Sequence, residues 1–236
     1  MRDARGRWLI INHDMVSALA AKRPRAFLLE SVKGWATQTP GNFENMLQQL
    51  RQMAGSAYNV GFKILDTADF GIPQHRERVY IVGLLRAAKV PGISFVWPTP
   101  RRRKLLPAAL GWRGNADRRK AREREQQFLA RATPKLRQRL RQALKDIRRR
   151  GVDPRDGDQP VVVDIDGSEP HWMHRLSPCL TRARASAGHY LPARGRRLTI
   201  RERLRLQALP VSIHDHCGGE HQRSPTRGTG WQLAEP

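Results

Sequence analysis

Between Trp8 and Lys22 the apolar residues Leu9, Ile10, Met15, Val16 and Leu19 recur at helical spacing, and Pro24 stops the run. Ala26-Phe27-Leu28-Leu29 is then continuously apolar and ends at Glu30. That is the pattern of a buried parallel strand with a polar residue at its carboxyl end. Phe43 to Met53 predicts a second helix, with Phe43, Met46, Leu47 and Leu50 on one face and Gly55 after it. Tyr58 to Thr67 and Arg78 to Leu84 read as two further strands. Helix, strand, helix, strand, loop, strand is the rhythm of an open α/β sheet. Ligands of such sheets sit beyond the carboxyl ends of the strands, where Glu30 lies.

The pattern changes after Pro98. From there to Gly151 arginine is dense, with Arg101-Arg102-Arg103-Lys104 and Arg148-Arg149-Arg150 at the flanks. Asp117 to Arg131 and Pro134 to Arg150 each predict a basic helix. Val161 to Ile165 predicts a strand. Thr199 to Leu209 predicts a short helix that Pro210 ends, and Thr199 with Glu202 has capping-box spacing. After Ile213 the chain is polar and without period.

Composition narrows the partners. The chain has 236 residues, 44 Lys+Arg against 21 Asp+Glu, and a formal net charge of +23. A polyanion is the expected partner, DNA or RNA first, because neutralising phosphates releases counterions. No segment is apolar for long enough to span a bilayer, and no apolar signal-peptide core follows the charged start. Cys179 and Cys217 give neither a disulfide framework nor zinc-finger spacing. His75 and the tail residues His214, His216 and His221 show no metal-site spacing, so they read as solvated side chains. The default expectation is a cytoplasmic protein.

Three segments carry candidate chemistry. The first is Phe27-Leu28-Leu29-Glu30-Ser31-Val32-Lys33-Gly34. The second runs from Asp69-Phe70-Gly71-Ile72-Pro73-Gln74-His75-Arg76-Glu77-Arg78 to Gly83. The third is Gly195-Arg196-Arg197-Leu198-Thr199-Ile200-Arg201-Glu202 and onward to Pro210. In this order and spacing they resemble the DNA cytosine-5 methyltransferases. The resemblance covers roughly residues 3–98 and 177–210, including Asp3-Ala4-Arg5-Gly6, which looks like the segment after the family's catalytic loop.

The resemblance implies S-adenosylmethionine as cofactor and double-stranded DNA with a flipped cytosine as substrate. In that chemistry a cysteine thiolate adds to C6 of the base and C5 then takes the methyl group. Charge building on the ring needs an acid at N3, and the resemblance puts Glu30 there. Such an acid works best buried, where loss of water favours its neutral form. Arg78, with Arg76 beside it, matches the arginines that hold the acid and the base in one plane. Gln74, Arg196, Arg197, Arg201 and Thr181 match positions expected at the DNA. Thr181 belongs to Ser177-Pro178-Cys179-Leu180-Thr181, which looks like the end of the target-recognition lobe.

The expected architecture is α/β, a partial Rossmann-like methyltransferase sheet plus a smaller basic target-recognition lobe. The boundaries are 1–98 for the partial catalytic domain, 99–194 for the lobe, 195–212 for its supporting helix and 213–236 for an irregular tail. The family's glycine-rich cofactor loop and Pro-Cys nucleophile loop have no counterpart here, so the cofactor-binding residues are unassigned. The chain alone is expected to be inactive and to need a complementary N-terminal methyltransferase chain. The tail has the look of frameshifted sequence. Ser31 stands where the family has asparagine; it still hydrogen-bonds, with shorter reach. Pro178-Cys179 does not read as a displaced nucleophile, because Leu180 follows it and its neighbours fit the recognition lobe. Gly71 and Pro73 read as shaping the turn before the strand. The basic helices read either as solvated faces or as DNA-backbone contacts. Two other readings stay open beside the split enzyme: a DNA-binding remnant without catalysis, and a fragment that does not fold stably because strand edges are left unpaired.

Overall fold

The computed structural model describes residues 14–112, 117–181 and 188–212. The Asp3-to-Gly6 segment, the first turns of the helix expected from Trp8, and the tail with Cys217 lie outside the described residues. The chain divides into two compact units, 1–71 with 75–103, and 72–74 with 104–236. It is mixed α/β, as expected.

In the first unit, residues 14–22 form helix α1. Strand β1 (Ala26–Val32) follows, then α2 (Lys33–Gln38), α3 (Pro40–Ser56), β2 (Tyr58–Asp66) and β3 (Glu77–Leu85). The sheet order is β1-β3-β2, and both pairings are antiparallel. Helical geometry in α3 breaks at Met53, Ala54 and Gly55. Phe43, Met46, Leu47 and Leu50 of α3 are buried with Phe27, Tyr58, Val79 and Ile81 of the sheet, and Met15, Val16 and Leu19 of α1 pack on the same cluster. Every sheet residue in that cluster has the parity of Val79, so the helices cover one face only. Phe43 anchors it, edge-on to Trp35 at 5.2 Å and to Phe62 at 4.9 Å. Burying each such side chain contributes about 1.5–3 kcal/mol.

This corrects the expectation of a buried parallel first strand. β1 pairs antiparallel with β3, and only Phe27 in it is buried; Leu28 is 63% exposed. The reason is the pleat. Alternate residues Leu28, Glu30 and Val32 point to the face that α1 and α3 leave uncovered. A continuous apolar run is therefore not enough to show burial on both faces.

The second unit holds α4 (Leu106–Leu110), α5 (Arg118–Arg131), α6 (Pro134–Arg149), β4 (Val161–Asp164), β5 (His171–His174), β6 (Tyr190–Leu191), β7 (Arg196–Arg197) and α7 (Ile200–Leu206). Its sheet order is β5-β4-β6-β7, all antiparallel. Here the continuous run does mean two-sided burial. Val161 and Val163 meet Leu140, Leu144 and Ile147 of α6, while Val162 meets Leu106 and Leu110 of α4 and Leu206 of α7. The capping box is formed: Thr199 Oγ1 accepts from the Glu202 N–H at 3.2 Å, and Glu202 Oε2 accepts from the Thr199 N–H at 2.7 Å. Residues 72–74 join this unit by an isolated parallel bridge from Gln74 to Ser177 and by the Ser177 N–H donating to the Pro73 carbonyl at 2.8 Å.

Candidate active site

The antiparallel register places Glu30 opposite Tyr80 and Val32 opposite Arg78. Glu30 and Arg78 are thus diagonal neighbours on one face of the sheet, within reach of long side chains. Arg78 Nε lies 3.0 Å from Glu30 Oε1, and Arg76 reaches the same oxygen at 3.5 Å. The Arg78 side chain is 15% exposed and also donates to the Glu77 carbonyl at 2.8 Å. Glu30 itself is 42% exposed. The burial expected for an acid at this strand end is therefore not supplied by the described residues, because the helices pack on the opposite face.

A second set of charges, not singled out in the sequence, fixes the loop that delivers the arginines. Asp66 ends β2 and lies opposite Glu77. Its Oδ1 accepts from the Ala68 N–H at 3.1 Å and from the Arg76 N–H at 2.8 Å, and its Oδ2 meets His75 Nδ1 at 2.5 Å. Burial alone raises the Asp66 pKa, but the two backbone N–H groups and the His75 ring outweigh it and hold the carboxyl below its ordinary value. His75 Nε2 lies 3.6 Å from Glu77 Oε2, and Lys33 Nζ closes on Glu77 at 2.7 and 2.8 Å. The one signal in the sequence was Asp66 itself, a turn-forming residue just before the loop. Gly71 adopts φ +95° in that loop, which favours glycine.

The residues expected at DNA fall into two groups. Gln74 is buried, and its Oε1 accepts from Gln207 Nε2 at 3.2 Å. Arg196 is engaged by Glu202 at 2.8 and 2.9 Å, and Arg197 by Asp166 at 2.7 and 2.8 Å. Burial tends to raise the Glu202 pKa, but Arg196, the Thr199 N–H and Trp112 Nε1 at 2.6 Å outweigh it and leave it lowered. These three side chains hold the second unit together. Arg201 and Thr181, by contrast, are exposed. Cys179 is in no disulfide and belongs to the second unit, whereas Glu30 is in the first.

An open cleft of about 480 Å³ in the first unit is lined by Arg51, Tyr58, Arg86, Phe95 and Trp97 among others; Glu30, Arg76 and Arg78 are not among its walls. It carries two guanidinium groups and no carboxylate. It therefore does not fit S-adenosylmethionine, whose sulfonium and ribose hydroxyls want acidic or acceptor partners.

The chain is 43% identical over 88 residues to the type II methyltransferase M.NgoBI of Neisseria gonorrhoeae, covering 37% of this chain and 25% of that protein. It is 46% identical over 82 residues to M.HaeII of Haemophilus aegyptius, covering 35% and 24%. It is 34% identical over 103 residues to M.NlaIV of Neisseria lactamica, covering 41% and 24%. The chain spans about a quarter of the length of these relatives. The family model for C-5 cytosine-specific DNA methylase matches residues 1–223, and the chain belongs to that family.

Proposed function

We propose that this chain supplies the base-binding acid and the target-recognition lobe of a DNA cytosine-5 methyltransferase that transfers a methyl group from S-adenosylmethionine to C5 of cytosine in duplex DNA. The observation that carries the reading is Glu30 held by Arg78 at 3.0 Å and Arg76 at 3.5 Å on one strand end. Glu30 donates a proton or hydrogen bond to N3 of a flipped cytosine, neutralising charge that builds on the ring. Arg78 and Arg76 turn their N–H groups to the base O2 and keep the acid in the ring plane. The exposed Arg201 and Thr181 are positioned for DNA contact. The 1–98 segment acts as the catalytic part and 99–194 as the recognition lobe, with 195–212 beneath it.

In this reading a complementary chain provides the cofactor loop and the cysteine. Support comes from β1, an edge strand of the sheet among the described residues, whose uncovered face exposes Leu28 at 63% and Val32 at 52%. An unpaired edge strand pairs readily with another strand. The reading takes the DNA to be cytoplasmic.

The test is methyl transfer from labelled S-adenosylmethionine to mixed-sequence DNA, with the chain alone and with an N-terminal methyltransferase half added. Activity appears only with the added half, and Glu30→Gln lowers it at least about 100-fold. Full activity of Glu30→Gln would refute the assigned acid. The net charge of +23 favours a second reading, DNA binding without catalysis; it predicts no transfer in either mixture.

A further inference from the structure

We propose that the outward face of α6 is a sequence-independent binding surface for the phosphates of duplex DNA. This rests on the DNA-methyltransferase reading and adds a site to it. Helix α6 has 16 residues, so it is about 24 Å long. Its buried row is Leu140, Ala143, Leu144 and Ile147. Lys135, Arg141, Lys145, Arg148 and Arg149 are all exposed and recur at helical spacing on the opposite side. Among the described residues no carboxylate pairs with any of these five cations.

The other charged groups of the helix are turned elsewhere. Arg137 Nε donates to the Ala132 carbonyl at 3.0 Å, and Arg139 donates to the carbonyls of Ile165 and Ser168 at 3.4 and 3.1 Å. Asp146, the single acidic residue of α6, accepts from Trp172 Nε1 at 2.8 Å and faces Arg150 at 3.4 Å. The outward stripe is thus of one sign along the helix.

Its neighbour α5 shows that such a stripe is not a general property of basic helices. On α5, Arg119 pairs with Glu123 at 3.6 Å, Lys120 with Asp117 at 3.7 Å and Arg118 with Asp153 at 3.0 Å. Three of its six cations are thus paired and two carboxylates, Glu123 and Glu125, lie among them, whereas Arg122, Arg124 and Arg131 have no carboxylate partner among the described residues. The outward cations of α6 repel one another unless a polyanion is present. An anionic membrane would also supply charge, but it needs apolar anchors to enter the interface. The apolar row of α6 is spent on Val161, Val163 and Tyr190. A rod of closely spaced phosphates fits a helix face that carries cations of one sign along its length better. Contacts of this kind position the protein without reading bases.

The experiment measures binding of the full chain to two unrelated duplexes across a salt series. The variant carries Arg141→Gln, Lys145→Gln, Arg148→Gln and Arg149→Gln together. A control carries Arg118→Gln, Arg119→Gln, Lys120→Gln and Arg122→Gln on α5, removing the same formal charge. Circular dichroism and thermal melting verify that both fold. The α6 variant makes the slope of log affinity against log salt shallower by about 2–4, equally on both duplexes, and the α5 control changes it by less than half as much. Equal slopes for the two variants, or an unchanged slope in the α6 variant, would overturn the site and leave the methyltransferase reading standing. Loss on one duplex only would overturn sequence independence. Binding to phosphatidylserine vesicles that duplex DNA does not displace would overturn DNA as the occupant. A wild-type chain that binds no duplex at all would remove both the site and the reading beneath it.

Discussion

The Asp66 carboxylate accepts a hydrogen bond from the Arg76 backbone N–H at 2.8 Å, so the last residue of β2 fixes the arginine that approaches Glu30. Asp66→Ala removes the acceptor for two backbone N–H groups and the partner of His75. A loss of about 2–3 kcal/mol is expected. Asp66→Asn keeps the oxygen facing the two N–H groups and loses the ion pair, so it costs less. Urea unfolding of the three proteins checks the order. Because the Asp66 pKa is depressed in the folded state, its contribution is present above the unfolded value near 3.8 and is lost as pH falls through the lower folded value. The Asn variant lacks that acid-dependent loss.

Gly83 sits across from Phe27 on the covered face of the sheet, and a Cβ there would lie 2.0 Å from the ring. The ring cannot give way, since it is buried against Tyr58 at a centroid distance of 5.4 Å. Gly83→Ala is expected to destabilise the first unit by about 1–3 kcal/mol. Phe27→Leu added to it restores part of the loss, so the double variant is less destabilised than the sum of the singles. A thermal-melting double-mutant cycle measures this.

Glu202 closes the capping box of α7, accepts from Trp112 and neutralises Arg196 while its side chain is only 5% exposed. Glu202→Ala leaves a cap, an indole N–H and a guanidinium without their acceptor. About 3 kcal/mol of destabilisation is expected. Glu202→Gln keeps the cap geometry and loses the charge, so it falls between. Chemical denaturation followed by tryptophan fluorescence separates the three.

His189 is fully buried beside β4, and burial lowers its pKa, with Asp164 opposing at 3.9 Å. Near and below its ordinary value of 6.5 the unfolded chain holds more of this proton than the folded chain, so the second unit loses stability as pH falls through that range. Hydrogen exchange of the β4 and β6 amides at pH 7.5 and 5.5 measures the loss. His189→Gln, which has no proton to take up, flattens that pH dependence. An unchanged slope in the variant would assign the effect to another group.

The sequence by itself determined the long elements, the capping box and the family, because each depends on residues near one another in the chain. Phe43 to Met53 declares itself by period, and the Thr199–Glu202 cap by a spacing of three, whereas Pro134 to Arg150 announced only a basic helix and its buried row emerged with the fold. The pairing of Glu30 with Arg76 and Arg78 entered through resemblance, and only the antiparallel register made it a contact. Tertiary structure decided the rest. It turned Leu28 and Glu30 toward the uncovered face of the sheet, although the same apolar run elsewhere, Val161 to Val163, is buried on both sides. It bound Arg196 and Arg197 to Glu202 and Asp166, and left the five outward cations of α6 unmatched while Arg118, Arg119 and Lys120 of α5 found partners. A charge's freedom depends on which carboxylates the fold brings within a few ångströms, and no local pattern of arginines carries that information.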